Sequence, residues 1–482
     1  MADGIVRDWL AEQGFDLPAS EDYNRMQTWL DWYRGDVKDV HHYKVYNGQG
    51  FTERRVRTMG MAKVIAEDHA SLLLNERVQI NVTDERFAEQ LDAILRANNF
   101  RVRANNLVEL AYALGTGALV EYLDAAGRPA IDYIPGNMVY PLSWDNGEIT
   151  QCAFVSVQRR GGKKAYYLQL HLDGPELYNV YLDAETGKEL PVPDGMAEAV
   201  TGLTGAPPLY QIIRPNIVNN ADLDSPMGMS VYGNATDQLA GCDLIYDSYV
   251  NEYVLGRKRI IVPMDMATVQ LTKDGTMQPM FDPRDGVFYA MATEAAGDTR
   301  GGKLTEINMA IRAQEHEAGL QRTLNMLGKK CGLGNDRYQF DAAGVKTATE
   351  VISEKSELYQ NLKKNRELLV QALIGMTRAL AFLAGFDPGM DVKIDLDDSI
   401  IEDRKSKIDE HIQLVGTGLE SKLKAIMDIH KIDERAAQQM LAEIAAEGRV
   451  DMTALDGVMM PPGEGGAPED PAGPADDTGS GE

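Results

Sequence analysis

At Gly117 the hydrophobic pattern of this chain changes period, and that switch limits the fold more than any other feature. Before it, apolar residues recur at helical spacing over Arg57–Glu76, Asp84–Asn98 and Arg101–Leu114. After it come short β-rich runs at Ala118–Leu123, Ala130–Ile134, Ile149–Val157, Ala165–Leu172 and Leu177–Leu182. Turn formers separate the runs, among them Asp145-Asn-Gly147 and Arg160-Gly-Gly-Lys163. Helices followed by an antiparallel meander predict an α+β fold.

Further along, Leu239, Cys242, Tyr246, Tyr249 and Tyr253 alternate three- and four-residue steps, which puts one apolar stripe on a helix that Gly256 ends. Two short strands are expected next, Arg259–Val262 and Val287–Ala292, then a second helix from about Thr305 to Lys330. Two helices with a small β-containing excursion between them suggest a stalk carrying a head. A third helix is long, about Thr349–Gly385. Thr347 and Glu350 form a capping box at its start. Its first half is polar, and its second half carries Leu369, Leu373, Met376, Leu380 and Leu383 on one face. One more strand is read at Asp391–Leu396 and two or three helices over 403–447. The last 35 residues, 448–482, hold 8 Gly, 5 Pro and 8 acids against a single Arg. Such a segment buries too little apolar surface to offset its ordering entropy and reads as a disordered acidic tail.

Composition removes whole function classes. With 48 basic and 74 acidic residues the net charge is −26. A protein that grips nucleic acid needs basic surface to displace phosphate counterions, so neither a sequence reader nor a tight non-specific binder fits. The balance does not exclude a channel through which DNA slides without sticking. No apolar run is long enough for a membrane helix, since Arg378 interrupts the best one. The first residues do not read as a signal peptide. Cys152, Cys242 and Cys331 are far apart and read as buried apolar residues of a reducing compartment.

Little of the sequence looks catalytic. Gly297-Asp-Thr-Arg-Gly-Gly302-Lys303 has P-loop spacing, but Leu304 stands where a hydroxyl should bind magnesium, so a surface loop is the better reading. Glu315-His316-Glu317 and His41-His42 lack the spacing of a helical metal site. No cofactor is implied. Of the basic clusters, Arg257-Lys258-Arg259 stands out because it lies where the stalk meets its head.

Several stretches together resemble the portal proteins of long-tailed bacteriophages, the head-to-tail connector family. They are Trp29-x-x-Trp-Tyr-x-Gly35, Ala66-Glu-Asp-His-Ala70 with Leu74-Asn-Glu76, and Ser225-Pro-Met-Gly228 with Ser230-Val-Tyr232. Tyr246-Asp247, Asn251-Glu252, Gly256–Ile260, Lys346–Val351 and Leu419-x-Ser421-Lys422 follow in the family's order. The resemblance implies a wing over 1–232 plus the strand near 391–396, stem helices at 233–256 and 305–331, and a clip at 257–304. A tunnel loop at 332–348, a long helix and a helical crown at 397–447 complete the layout. It further implies a homo-oligomeric, dodecameric ring at one capsid vertex that passes double-stranded DNA without binding it tightly. The terminase large subunit and then a head-tail adaptor protein would dock at the clip, through Arg257, Lys258 and Arg259. Major capsid and scaffolding proteins would be further partners. Glu306, Glu315 and Glu317 would line the stem channel, and Asp336, Arg337, Asp341, Gly344 and Lys346 the tunnel loop. Two other readings stay open here: a P-loop-like nucleotide-binding enzyme using Gly297–Lys303, and a prophage-derived scaffold protein.

Overall fold

The computed structural model describes residues 2–455 apart from 264–268, 280–287, 292–304, 341–347, 397–403 and some shorter gaps. It falls into two compact units, residues 1–397 and 398–482. The first unit mixes helices with several small sheets, as the change of period predicts.

Its N-terminal part is helical: α1 (Ala2–Glu12), α2 (Ser20–Arg34) and the short α3 (Lys38–His41). The hairpin β1 (His42–Tyr46) and β2 (Phe51–Arg55) comes next, then α4 (Met61–Leu73), β3 (Gln79–Val82), α5 (Glu85–Ala97) and α6 (Phe100–Leu114). Local chemistry sets the ends of these helices. Gly35 closes α2 at φ +68, in the left-handed region open to glycine, and Asp84 caps α5 by accepting from the amides of Arg86 and Phe87. Trp29 and Trp32 are buried on α2, which packs on α4 and α6.

The expected single meander is two sheets. β4 (Gly117–Leu123) and β5 (Pro129–Pro135) pair antiparallel. A one-turn 3-10 helix, Gly136–Met138, then diverts the chain into a second sheet. That sheet runs β6 (Val139–Asp145), β7 (Glu148–Arg160), β8 (Lys163–Leu172), β9 (Glu176–Asp183) and β10 (Glu189–Leu190), each paired with the next, and β11 (Ala199–Val200) also pairs with β9. β6 was missed because Pro141 breaks its pattern and its pairing carries register shifts beside that residue. β12 (Tyr210–Ile213) returns to the first sheet on the free side of β4. Ala118, Val120, Ile134, Val139, Cys152 and Phe154 form a core between the sheets.

Next come α7 (Thr236–Leu255) and a strand-rich excursion of β13 (Arg259–Pro263), β14 (Val269–Leu271), β15 (Met277–Pro279), β16 (Phe288–Met291) and β17 (Thr305–Ile307). β13 lies between β16, parallel to it, and β17, antiparallel. The second stalk helix, α8 (Ala313–Lys330), thus begins later than expected: at Thr305 the chain extends, and Glu306 pairs with Ile260 on a strand. The long helix is α9 (Ala348–Leu383), whose Leu369, Leu373, Met376 and Leu380 are buried against the first sheet. Its capping residue Thr347 is outside the described residues. The expected last strand is β18 (Val392–Asp395), which pairs with β3, some 300 residues earlier.

The second unit holds α10 (Arg404–Gly416), α11 (Lys422–His430) and α12 (Glu434–Leu455). α12 runs past 448, where the tail was expected to begin; the remainder of that tail is outside the described residues. Among the described residues no helix is long and apolar enough to cross a membrane.

β4 is covered on both faces, by the core on one side and by α6 and α9 on the other. Glu121 sits in that strand, fully buried, with neither carboxylate oxygen hydrogen-bonded. Burial pushes its carboxyl up to about 8. The folded chain therefore keeps this proton while the unfolded chain releases it, so stability falls as pH rises from about 4.5 to about 8 and is flat outside that window. Glu121→Gln should remove this slope and raise stability at pH 8 by on the order of 4 kcal/mol relative to pH 4. Thermal melts at both pH values check it; an equal gain at both would overturn the assignment.

Candidate functional site

α7 and α8 pack side by side and antiparallel, with Glu252 meeting Arg312 at one end and Lys330 the Asn234 carbonyl at the other. Leu239 and Cys242 on α7 and Leu320, Leu324 and Leu327 on α8 are buried, so apolar contact holds the end of the pair away from the excursion. The end next to the excursion is polar. There Glu252 on α7 accepts from Arg312 Nε at 3.1 Å and lies 3.6 Å from His316 Nε2 on α8. The Arg312 hydrogen bond holds the Glu252 carboxyl below its usual range. Tyr249 and Tyr253 share a hydroxyl contact of 3.0 Å beside His316.

α7 also anchors the segment leading to α4. The buried carboxylate of Asp243 meets His41 Nε2 at 2.9 Å, Thr58 Oγ1 at 3.1 Å and the Met59 amide at 2.7 Å. One turn on, Asp247 accepts from Arg57 Nη1 at 2.7 Å. His41, read from sequence as half of a weak His-His pair, is thus a structural partner of Asp243. His42 contacts Asp36 instead.

The chain after α8 is held on two sides. His69 on α4 is buried, and burial lowers its pKa to about 4, so the neutral ring donates Nε2–H to the Cys331 carbonyl at 2.9 Å. Its neighbour Asp68 accepts from Arg337 Nε at 3.1 Å, from Arg337 Nη2 at 2.8 Å and from Tyr338 Oη at 2.9 Å. From the other side, Gln321 on α8 donates to the Tyr338 carbonyl and accepts from the Phe340 amide, both at 3.0 Å. The two-pronged Arg337 contact is the strong geometry for a carboxylate. Residues 331–340 are therefore clamped between α4 and α8.

These contacts tie down the described part of the stretch expected to be the tunnel loop, residues 332–340. The charge of Arg337 is met by Asp68 on α4. Asp336 accepts from Gln339 within the same turn. Asp341, Gly344 and Lys346 are outside the described residues. Of the acids expected to line the stem, Glu315 and Glu317 are exposed on α8, whereas Glu306 belongs to the β17 strand. Arg257 is exposed on the bend after α7, and Arg259 opens β13 opposite Ile307. Lys258 and the Gly297–Lys303 loop are outside the described residues. The three cysteines are buried and unlinked, and burial pushes the Cys242 and Cys331 thiols up to about 12, the reverse of nucleophile activation.

Sequence reasoning missed Asp68, His69, Gln321 and Asp243 as organising residues. The stretch Ala66–Ala70 did stand out as part of a resemblance, but only the fold places Asp68 and His69 beside residues 331–338.

Among curated proteins none matches the chain. A solved chain described as the neck of a native GTA particle, computed with C12 symmetry, is 14% identical, with 76% of this chain and 88% of that chain covered and a TM-score of 0.38. That likeness is too loose to carry an argument. A family model described as phage portal protein, SPP1 Gp6-like, matches residues 19–450 and so takes in nearly all of the helices and sheets described above. This chain belongs to the phage portal protein family.

Proposed function

We propose that the chain is the portal subunit of a tailed-phage particle: it closes into a dodecameric ring at one capsid vertex and gives DNA its passage in and out. The observation that carries this reading is the family match across residues 19–450. On it, α7 and α8 are the stem, the strands between them form the clip, and residues 1–232 with β18 make the wing. The long helix α9 follows the tunnel loop, and the second unit is the crown. The clip receives the terminase large subunit and later the head-tail adaptor, while capsid and scaffolding proteins surround the ring.

The net charge of −26 supports this role. Each phosphate neutralised by Lys or Arg adds affinity through counterion release, so an acidic wall lets a duplex slide. Exposed Glu315 and Glu317 suit such a wall, which would repel DNA over about 8 Å in physiological salt. Glu306 belongs with the clip. The family is a structural one and the chain acts without catalysis, leaving the work of packaging to the terminase. The clamp on 331–340 gives the tunnel loop a fixed base, so the part that follows the DNA begins after Phe340.

Negatively stained images of the purified full chain should show closed rings with a central hole. A monomer that hydrolyses ATP would overturn the portal reading in favour of an enzyme.

Asp68→Ala should leave rings intact yet release the base of the loop. Amide exchange over 331–340 should accelerate at least about tenfold, and packaged DNA should leak. Unchanged exchange would show that the Arg337 contact does not hold the loop.

Arg257→Glu combined with Lys258→Glu should keep the ring and weaken terminase binding about tenfold, since rim charges govern encounter. Sedimentation and a pull-down on the same sample check it. Loss of the ring with normal docking of what remains would refute the assignment.

A further inference from the structure

We propose that His411, Glu420 and Asp428 form a binding site in the second unit for one divalent transition-metal cation of the zinc type. The three donor atoms, one imidazole nitrogen and two carboxylate oxygens, all lie within 4.8 Å of one another.

The backbone brings them together. α10 ends in a turn whose Gly418 takes φ +74, a left-handed conformation that favours glycine. The Leu419 and Glu420 amides both return to the Leu414 carbonyl, at 2.9 and 3.2 Å. This folds Glu420 back along α10, where its Oε2 meets His411 Nδ1 at 2.6 Å. Ser421 Oγ then caps α11 through the Lys424 amide, and α11 packs on α10 with Asp428 on the same side as the pair. Ligands thus come from a helix, a turn and the next helix, a spacing of nine and then eight residues that no short motif would reveal.

The donor set has a charge deficit that a cation would fill. The His411 and Glu420 side chains are only 16% and 9% exposed. Among the described residues, no lysine or arginine pairs with Glu420 or Asp428. A largely enclosed carboxylate and imidazole therefore stand beside a second carboxylate, that of Asp428, at the solvent edge.

An imidazole donor favours zinc-like ions over calcium or magnesium, which prefer all-oxygen sets. Three protein ligands leave one position for water, which solvent-exposed Asp428 keeps open. Metal–ligand bonds of about 2.0–2.2 Å put tetrahedral donors roughly 3.4 Å apart, so shifts of about 1 Å from the present arrangement complete the site. Bound metal would staple α10 to α11, and its binding free energy would add to the stability of the folded unit. The site does not depend on the portal reading.

The test uses the full chain without a polyhistidine tag, stripped with chelator and titrated with zinc chloride by calorimetry. One zinc per chain is expected, binding at least tenfold tighter than magnesium, together with a higher melting temperature. Cobalt(II) in its place should give the visible absorption of a tetrahedral nitrogen–oxygen set. Glu420→Gln retains an acceptor for His411 and so keeps the hairpin folded; it should weaken zinc at least about tenfold, as should His411→Ala. His430→Ala, at an exposed histidine nearby on α11, should change nothing. Equal affinity for zinc and magnesium, unchanged binding by Glu420→Gln, or an equal loss in His430→Ala would each overturn the site.

Discussion

Two backbones pass so closely at Gly115 and Gly228 that a Cβ on either would collide with the other's carbonyl. Gly115 also needs its positive φ to end α6 and turn the chain into β4. Around this crossing Thr116 Oγ1 accepts from the Gly228 amide at 2.9 Å, and the Val231 amide donates to the Tyr112 carbonyl at 3.0 Å. Ser225 Oγ reaches Asp22 on α2 at 2.8 Å. The end of α6, the start of β4, the long loop after β12 and the approach to α7 are thus fixed at one point. The direction in which α7 leaves the sheets depends on that point, and with it the placement of α8 and the excursion between them.

Buried polar groups extend this control. Asn365, in the middle of α9, accepts from Tyr112 Oη at 3.2 Å and from the Asn216 amide at 2.7 Å, while its own amide donates to the Asn361 carbonyl. The polar first half of α9 therefore contains at least one residue that registers the helix against α6 and the loop after β12. Asp243 does the same for α7, with three donors around one carboxylate. Glu121 is the contrast. It is as deeply buried as Asp243, but its carboxylate oxygens meet no hydrogen-bond partner among the described residues, and burial favours its protonated form.

These contacts also govern the stretch that follows α8. Up to Phe340 the chain is tied through Asp68, His69 and Gln321 to two helices that are themselves packed. On the portal reading this means that force on the loop is delivered to α4 and α8 and not absorbed by slack chain. The polar latch of Glu252 with Arg312 and His316 stiffens the other end of the same helix pair, next to the strands that would carry the docking surface.

What the sequence by itself determined was the order and kind of elements: helices up to Leu114, strands to about 183, a helix pair with a strand-bearing excursion, a long helix and a helical end. Period and turn residues carry that information locally. The family resemblance was legible too, because it rests on the order of short stretches. The sequence could not show that the strands form two sheets, since the division turns on a single 3-10 turn at Gly136–Met138 and on β12 returning from 75 residues away. Nor could it show that Thr305–Ile307 is a strand, since Thr-Glu-Ile suits either state and pairing with β13 decides. The clamp at Asp68 and the His411 cluster were hidden for the same reason: each joins residues far apart in the chain or set by a turn, and hydrogen bonds between them exist only once tertiary packing has brought them within 3 Å of one another.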